Sequence, residues 1–307
     1  MPTGNITPSI AQVFIPEVWA NRALEILRNQ IVLARLVTKD TDIAAFQVGS
    51  VLHIPYPGVF TAQDKTPGSA VVLQQPANAS VVNVPLTKYK HVSFLVEDVA
   101  RAQANQDIMD RYLKAAVPAL AEAIETDIWA AVTATTGGIP TSVGTAGTNL
   151  SANTIRQARK ALNDQKAPMD NRNLVISTKD EIALLSDAEL REYFAFAQQR
   201  AVSDAQIGRV YGFDVWVSQL VPTSGTTTVT TTNLAFHPNA LILAMRGLPE
   251  PPQGTGVQAT TIRDDMSGLV LRVLFAYNPT FLGVQVTLDV LYGVAVLRPE
   301  FGVKVLS

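Results

Sequence analysis

The chain has 307 residues, 47% of them hydrophobic and only 16% charged, with a net charge of −2 at pH 7. Typical soluble domains carry roughly 25% charged residues, so the deficit points to surface meant to touch other protein, above all in low-charge segments rich in Thr, Gly and Val. The balance excludes a basic phosphate-binding footprint, and the absence of cysteine excludes disulfides, thiol catalysis and cysteine-based zinc sites.

The N-terminus, "MPTGNITPSIAQVFIPEVW", has no basic region followed by an apolar run, so no secretory signal is expected. Residues 16–38 follow as an amphipathic helix. Trp19, Ala23, Ile26, Leu27, Ile31 and Ala34 share one side at helical spacing, and Pro16 suits the first turn. Such an outlying helix needs something to lie on, and a neighbouring chain is a candidate. From residue 47 to 92 the pattern becomes strand-like. "GSVLHIPYPG" and "VVLQQPANASVVNVPLTKYKHVSFLV" flank the turn-rich "TAQDKTPGSA", which predicts a long two-stranded excursion with Lys65, Pro67 and Gly68 near its tip. An isolated hairpin is marginal in water, so this arm should dock on another surface.

Residues 97–133 form the strongest local signal, with no glycine and one proline. Met109, Leu113, Ala116, Leu120, Ile124, Ile128 and Ala131 repeat every three or four positions, predicting one long helix bent at Pro118. The glycine-rich stretch 135–149 should end it as a flexible loop. Ser151 is the expected N-cap of a helix through Ile155, Ala158 and Leu162. "NLVIST" follows as a buried strand, and most of "KDEIALLSDAELREYFAFAQ" as another helix. In "YGFDVWVSQLVP", a turn at Tyr211 and Gly212 hands the chain into a strand whose Phe213, Val215 and Val217 alternate with Asp214, Trp216 and Ser218. The Thr-rich run after Pro222 reads as a turn or edge hairpin, and residues 268–305 as strand after strand. The longest apolar run near the end, 290–297, is about half of the roughly 20 residues a membrane span needs. A soluble product made in the cytoplasm is the expectation.

Catalytic chemistry is not visible. His53, His91 and His237 lie in unrelated segments, too dispersed for a metal site. No Gly-Lys-Ser/Thr follows the glycine-rich loop, and no Gly-x-Ser-x-Gly elbow exists. Glu122, Glu125 and Asp127 cluster on the long helix. Paired acid–base carboxylates would look like this, but a solvated or inter-subunit helix face is the more ordinary reading. The sequons at Asn5, Asn78 and Asn149 carry little weight without a secretory signal. No enzyme, cofactor or metal is expected.

The order of these pieces (terminal helix, extended arm, long helix, α/β unit, closing strands) resembles the major capsid (coat) proteins of tailed bacteriophages, the Hong Kong 97-type α+β fold. The resemblance covers nearly the whole chain. "ARKALNDQKAPMDNRNLVIST", "IGRVYGFDVWVSQLVP" and "LDVLYGVAVLRPEFGVKV" carry it. It is nearest the P-twenty-two-type coat branch, without room for that branch's inserted domain after Pro222.

The resemblance implies a layout. Residues 1–40 would be an N-terminal arm, 41–92 an extended E-loop, and 93–136 the spine helix of a peripheral domain. Residues 137–245 would form an axial domain, 246–289 would return to the peripheral domain, and 290–307 would supply a last axial strand. It also implies hexamers and pentamers in a virion capsid around double-stranded DNA bound without sequence preference. Assembly would take place in the host cytoplasm, with scaffolding and portal proteins and a decoration protein as an optional addition, and with no membrane. Inter-subunit contacts are expected at Trp19, Ile26, Lys65, Pro67, Glu122 and Glu125. Some family members cross-link a lysine of the E-loop to an asparagine of the peripheral domain. Here Lys65 and Asn278 would be the pair, with Glu300 or Asp289 as base. Three other readings stay open: an encapsulin-like shell around an enzyme cargo, a β-rich tail or surface adhesin, and an enzyme with an unrecognised site.

Overall fold

The computed structural model describes residues 23, 32–40, 51–56, 60–71, 73, 80–98, 108–187, 189, 208–226, 228–252, 256–264 and 269–307. Two β-sheets and a two-stranded arm dominate them. The first sheet is organised around one long strand, β14 (Gly283–Val296). Along one edge it pairs antiparallel with β4 (Lys88–Glu97). On the other it pairs first with β13 (Leu269–Asn278) and then with β11 (Leu241–Arg246). β12 (Val257–Asp264) extends the sheet beyond β13, and the three-residue β1 (Thr38–Asp40) lies parallel on β11.

Alternation along β14 sets its two faces. Val286, Leu288, Val290 and Tyr292 are buried on the face that receives the helix α2 (Ile108–Thr133). The helix meets them with Ala116, Val117, Leu120, Ala121, Ile124, Ile128, Trp129 and Val132, all buried. The expected stripe is therefore present at Ala116, Leu120, Ile124 and Ile128 and is widened by Trp129 and Val132. The expected start at residue 97 falls one residue early: the chain is helical at Asp98, and residues 99–107 lie outside the described residues. Glu97 closes β4 opposite Gly283, because a sheet neighbour claims its backbone. The helix ends at Thr133 as expected and runs through Pro118.

The other face of this sheet carries the arm. β2 (Val51–Tyr56) and β3 (Ser80–Pro85) pair antiparallel. Leu52, Val84 and Leu86 are buried with Ile242 and Ala244 of β11, and Ile54, Ala295 and Leu297 pack alongside. Gly293 is where arm and sheet approach most closely, since a Cβ there would stand 2.4 Å from the Pro85 carbonyl oxygen. The arm ends at Pro85, and the run from Lys88 onward belongs to the six-stranded sheet.

The second sheet has the order β5 (Ser142–Gly144), β15 (Gly302–Leu306), β10 (Thr230–Phe236), β6 (Asn173–Ile176), β8 (Phe213–Val217), β7 (Arg209–Val210), with β9 (Thr223–Ser224) pairing on β10. The helix α3 (Ala152–Asp164) buries Ile155, Ala158 and Leu162, and Ser151 caps it by accepting the Thr154 N–H at 3.4 Å. Ser177 caps α4 (Thr178–Ser186) in the same way at Asp180. Tyr211 and Gly212 both have positive φ, the two-residue turn that joins antiparallel strands with the right twist. The stretch 135–149, expected to be a flexible loop, instead contributes β5, parallel to β15. Its following turn is tied down by Lys179, whose ammonium donates to the Thr148 and Val229 carbonyls.

The sheets are joined by the short turns Pro238–Ala240, between β10 and β11, and Pro299–Phe301, between β14 and β15. Of the expected terminal helix, residues 23 and 32–38 fall among the described residues, with Ala23 helical and α1 spanning Leu33–Leu36. The expected continuation to residue 38 is not seen, because Val37 turns extended and Thr38 enters β1.

Candidate assembly surface

The arm is bound at its base and open at its end. Thr66, Pro67, Gly68 and Ser69 form its turn. Proline pre-sets the first corner, Gly68 takes φ +86°, and the Ser69 N–H and hydroxyl both donate to the Thr66 carbonyl. Every described residue from 60 to 73 is exposed, Lys65 and Pro67 among them. Three of these are large apolar side chains, Phe60, Val71 and Leu73, the last 93% exposed. Single exposed apolar residues are ordinary, but several on one projecting loop mark a contact surface.

Glu122 is exposed on α2, open to a neighbour. Glu125 is not. Its side chain is turned inward, 1% exposed, and one carboxylate oxygen accepts the backbone N–H groups of Val32 at 2.8 Å and Ala34 at 3.0 Å. Glu125, expected at a subunit contact, thus makes its contacts within the chain, since the α2 stripe is wide enough to carry position 125 inside. Burial pushes this carboxyl above the ordinary glutamate range and outweighs the amides of Ala34 and Val32, which act the other way. Asp127, two residues on, shows the opposite outcome. Its partial burial alone would raise it, but hydrogen bonds from Tyr292 (2.6 Å) and Lys88 (3.2 Å), with the charges of Lys88 and Lys90, hold it below the usual aspartate range. Trp19 and Ile26 lie outside the described residues.

Two of the four residues named for a cross-link, Asn278 and Asp289, have partners within the chain. Asn278 ends β13 and accepts the Thr280 N–H at 3.0 Å, capping its own turn. Asp289 is buried in a fork with Arg272, whose Nε donates at 3.0 Å, and also accepts the Tyr89 hydroxyl at 2.8 Å. Sequence reasoning missed a second exposed patch, Tyr277, Phe281 and Leu282 at the β13–β14 turn. Its signal was available in "AYNPTFL", three large apolar residues around an Asn-Pro turn. Among the described residues no group of His, Asp and Glu could hold a metal ion, and no helix is long and apolar enough to cross a membrane.

A family model described as phage capsid protein matches residues 80–305, from β3 to β15. The chain belongs to the phage capsid protein family. Solved structures agree on the fold of this capsid protein. A chain from Mycobacterium phage Che8 is 20% identical over 90% of both chains, with a TM-score of 0.61. The capsid structure of cyanophage P-SCSP1u is 15% identical, covering 90% of this chain and 87% of that one, with a TM-score of 0.63. A virus-like particle from Pyrococcus furiosus is 12% identical, covering 94% and 98%, with a TM-score of 0.53. The architecture is the Hong Kong 97-type α+β fold that the resemblance implied. No curated protein sequence matches the chain.

Proposed function

We propose that this capsid protein is the major subunit of a tailed-phage head, assembling as hexamers and pentamers into a closed shell around double-stranded DNA. The observation that carries this reading is the arm. Its base is fixed to the subunit through Leu52, Val84 and Leu86, while residues 60–73 project with Phe60, Val71 and Leu73 uncovered. A tip of that kind is completed by a neighbour, and in a closed shell each subunit meets several neighbours, so modest contacts act together.

In this reading the arm is the E-loop and α2 the spine helix. The six-stranded sheet is the peripheral domain, and the seven-stranded sheet the axial domain. Glu122 and the Tyr277–Leu282 turn are the surfaces offered to adjacent subunits. Scaffolding, portal and decoration proteins are the partners such a shell takes, and the assembled virion is its location. A compartment enclosing an enzyme cargo would use the same tile. The phage family match favours the head, although the Pyrococcus furiosus particle shares the fold.

The test is electron microscopy of the overexpressed full-length chain, alone and with the scaffold candidate encoded beside it. Shells, or rings of five and six subunits, are expected. Material that stays monomeric at high concentration under both conditions overturns the proposal.

A further inference from the structure

We infer that residues 32–40 form a detachable clasp across the joint between the two sheets, with Glu125 as its catch. The segment touches every part that meets there. Val32 and Ala34 give their N–H groups to the Glu125 carboxylate on α2, and Leu33, Ala34 and Val37 are buried in the main core. Thr38–Asp40 adds β1 to the edge of β11 in the six-stranded sheet. Arg35 places its guanidinium 5.8 Å from the ring centroid of Trp216, in β8 of the seven-stranded sheet. The Thr38 hydroxyl donates to the Asn239 side-chain oxygen at 3.2 Å, and Asn239 lies in the turn Pro238–Ala240 that joins the sheets. The second joining turn is bound to the first, with the His237 N–H donating to the Phe301 carbonyl at 3.0 Å. A pivot at these turns would stretch the clasp.

Two features make the clasp releasable. It is a four-residue helix and a three-residue edge strand, elements with few backbone hydrogen bonds of their own. Its catch is also chemically unbalanced. One Glu125 oxygen accepts both N–H groups, while the other, Oε2, is buried with no hydrogen-bond partner among the described residues. A glutamine would hold the same two amides without that orphaned charge. Among the described residues, charged groups on the elements around Glu125 have other partners: Arg35 over Trp216, Lys39 on the Arg35 carbonyl, Asp127 with Lys88, Lys90 and Tyr292, and Arg272 with Asp289. Glu122 faces solvent, and burial keeps the His237 ring below its ordinary range.

The carboxyl is therefore best held protonated. Because its folded-state value is raised, the stability it contributes is complete below the ordinary glutamate range and is lost as pH rises through the folded value. The clasp is tightest in acid and loosens as pH rises through the folded value.

Hydrogen exchange on the full-length protein tests this. Glu125→Ala should speed exchange in residues 32–40, and at the β11 amides facing β1, by about tenfold or more. Protection in β10 and β15 should be unchanged. Glu125→Gln should keep the clasp protected, and the exchange ratio of wild type to this variant should grow as pH rises. Unchanged exchange at 32–40 in Glu125→Ala, or equal acceleration everywhere, overturns the clasp. Glu125→Gln behaving like the alanine variant overturns the acceptor role, and a pH-independent ratio overturns the titrating catch.

Discussion

The seven-stranded sheet and the two-stranded arm both draw on Val and Asn in their strands, yet one is tied internally and the other is left open at its end. At the sheet's centre Asp180, fully buried, accepts hydrogen bonds from Ser177 (2.8 Å), Asn233 (2.7 Å), Ser307 (2.9 Å) and Thr231 through one oxygen. Helix α4, strand β10 and the residue following β15 are thus tied at a single atom. The arm has only the five-residue cluster at its base and ends in solvent. A region tied internally by such a network holds its shape by itself, although the other Asp180 oxygen, Oδ1, is buried with no hydrogen-bond partner among the described residues. A region with its apolar groups outside is finished by a partner. The contrast suits a tile, with a stiff body and an unfinished edge.

The largest effect that could break this comparison is at Asp180. Asp180→Ala strands several buried donors, and thermal or denaturant unfolding should show a loss of at least about 3 kcal/mol. Full stability in that variant would mean that the network does not hold the sheet. Acid provides a second probe of the same node. Burial alone would raise the Asp180 carboxyl, but the donors from Thr231, Asn233, Ser177 and Ser307 outweigh it and hold it below the usual aspartate range. Its contribution is therefore present above that range and lost as pH falls through the folded value, so Asp180→Asn should flatten the acid limb of the unfolding curve.

A smaller effect is expected at the arm's base. Leu52→Ala removes one of five buried side chains and should cost about 2 kcal/mol. Limited proteolysis should then cut residues 51–85 faster while the seven-stranded sheet stays intact. Global unfolding instead would show that arm and body are one cooperative unit. The smallest effect on stability is predicted at the tip. Leu73→Ser and Lys65→Ala should each change subunit stability by less than about 0.5 kcal/mol. Their shell yield by sedimentation should nonetheless fall, Leu73→Ser the more strongly. Wild-type yield from the double variant would remove the tip from assembly.

Much of the fold was legible because it is local. The Pro67–Gly68 turn, the Ser151 cap, the Tyr211–Gly212 hairpin and the repeat through Ala116, Leu120, Ile124 and Ile128 each follow from residues within a few positions of one another. The arm was readable for the same reason, as two strand-like runs around a turn. Of the residues expected at subunit contacts, Lys65 and Pro67 lie exposed beside a turn, whereas Glu125 is buried within its own chain.

Sequence alone determined where strands, caps and turns begin, and which helix has a face to bury, since backbone sterics and side-chain periodicity act over a few residues. Only the tertiary structure decided the rest. Ser142–Gly144 becomes a strand because β15 offers an edge, Glu97 stays in a strand because Gly283 lies opposite, and Glu125 turns inward because two amides 91 and 93 residues away need an acceptor. Those outcomes depend on which distant backbone groups would otherwise be buried without a partner, and no local pattern carries that information.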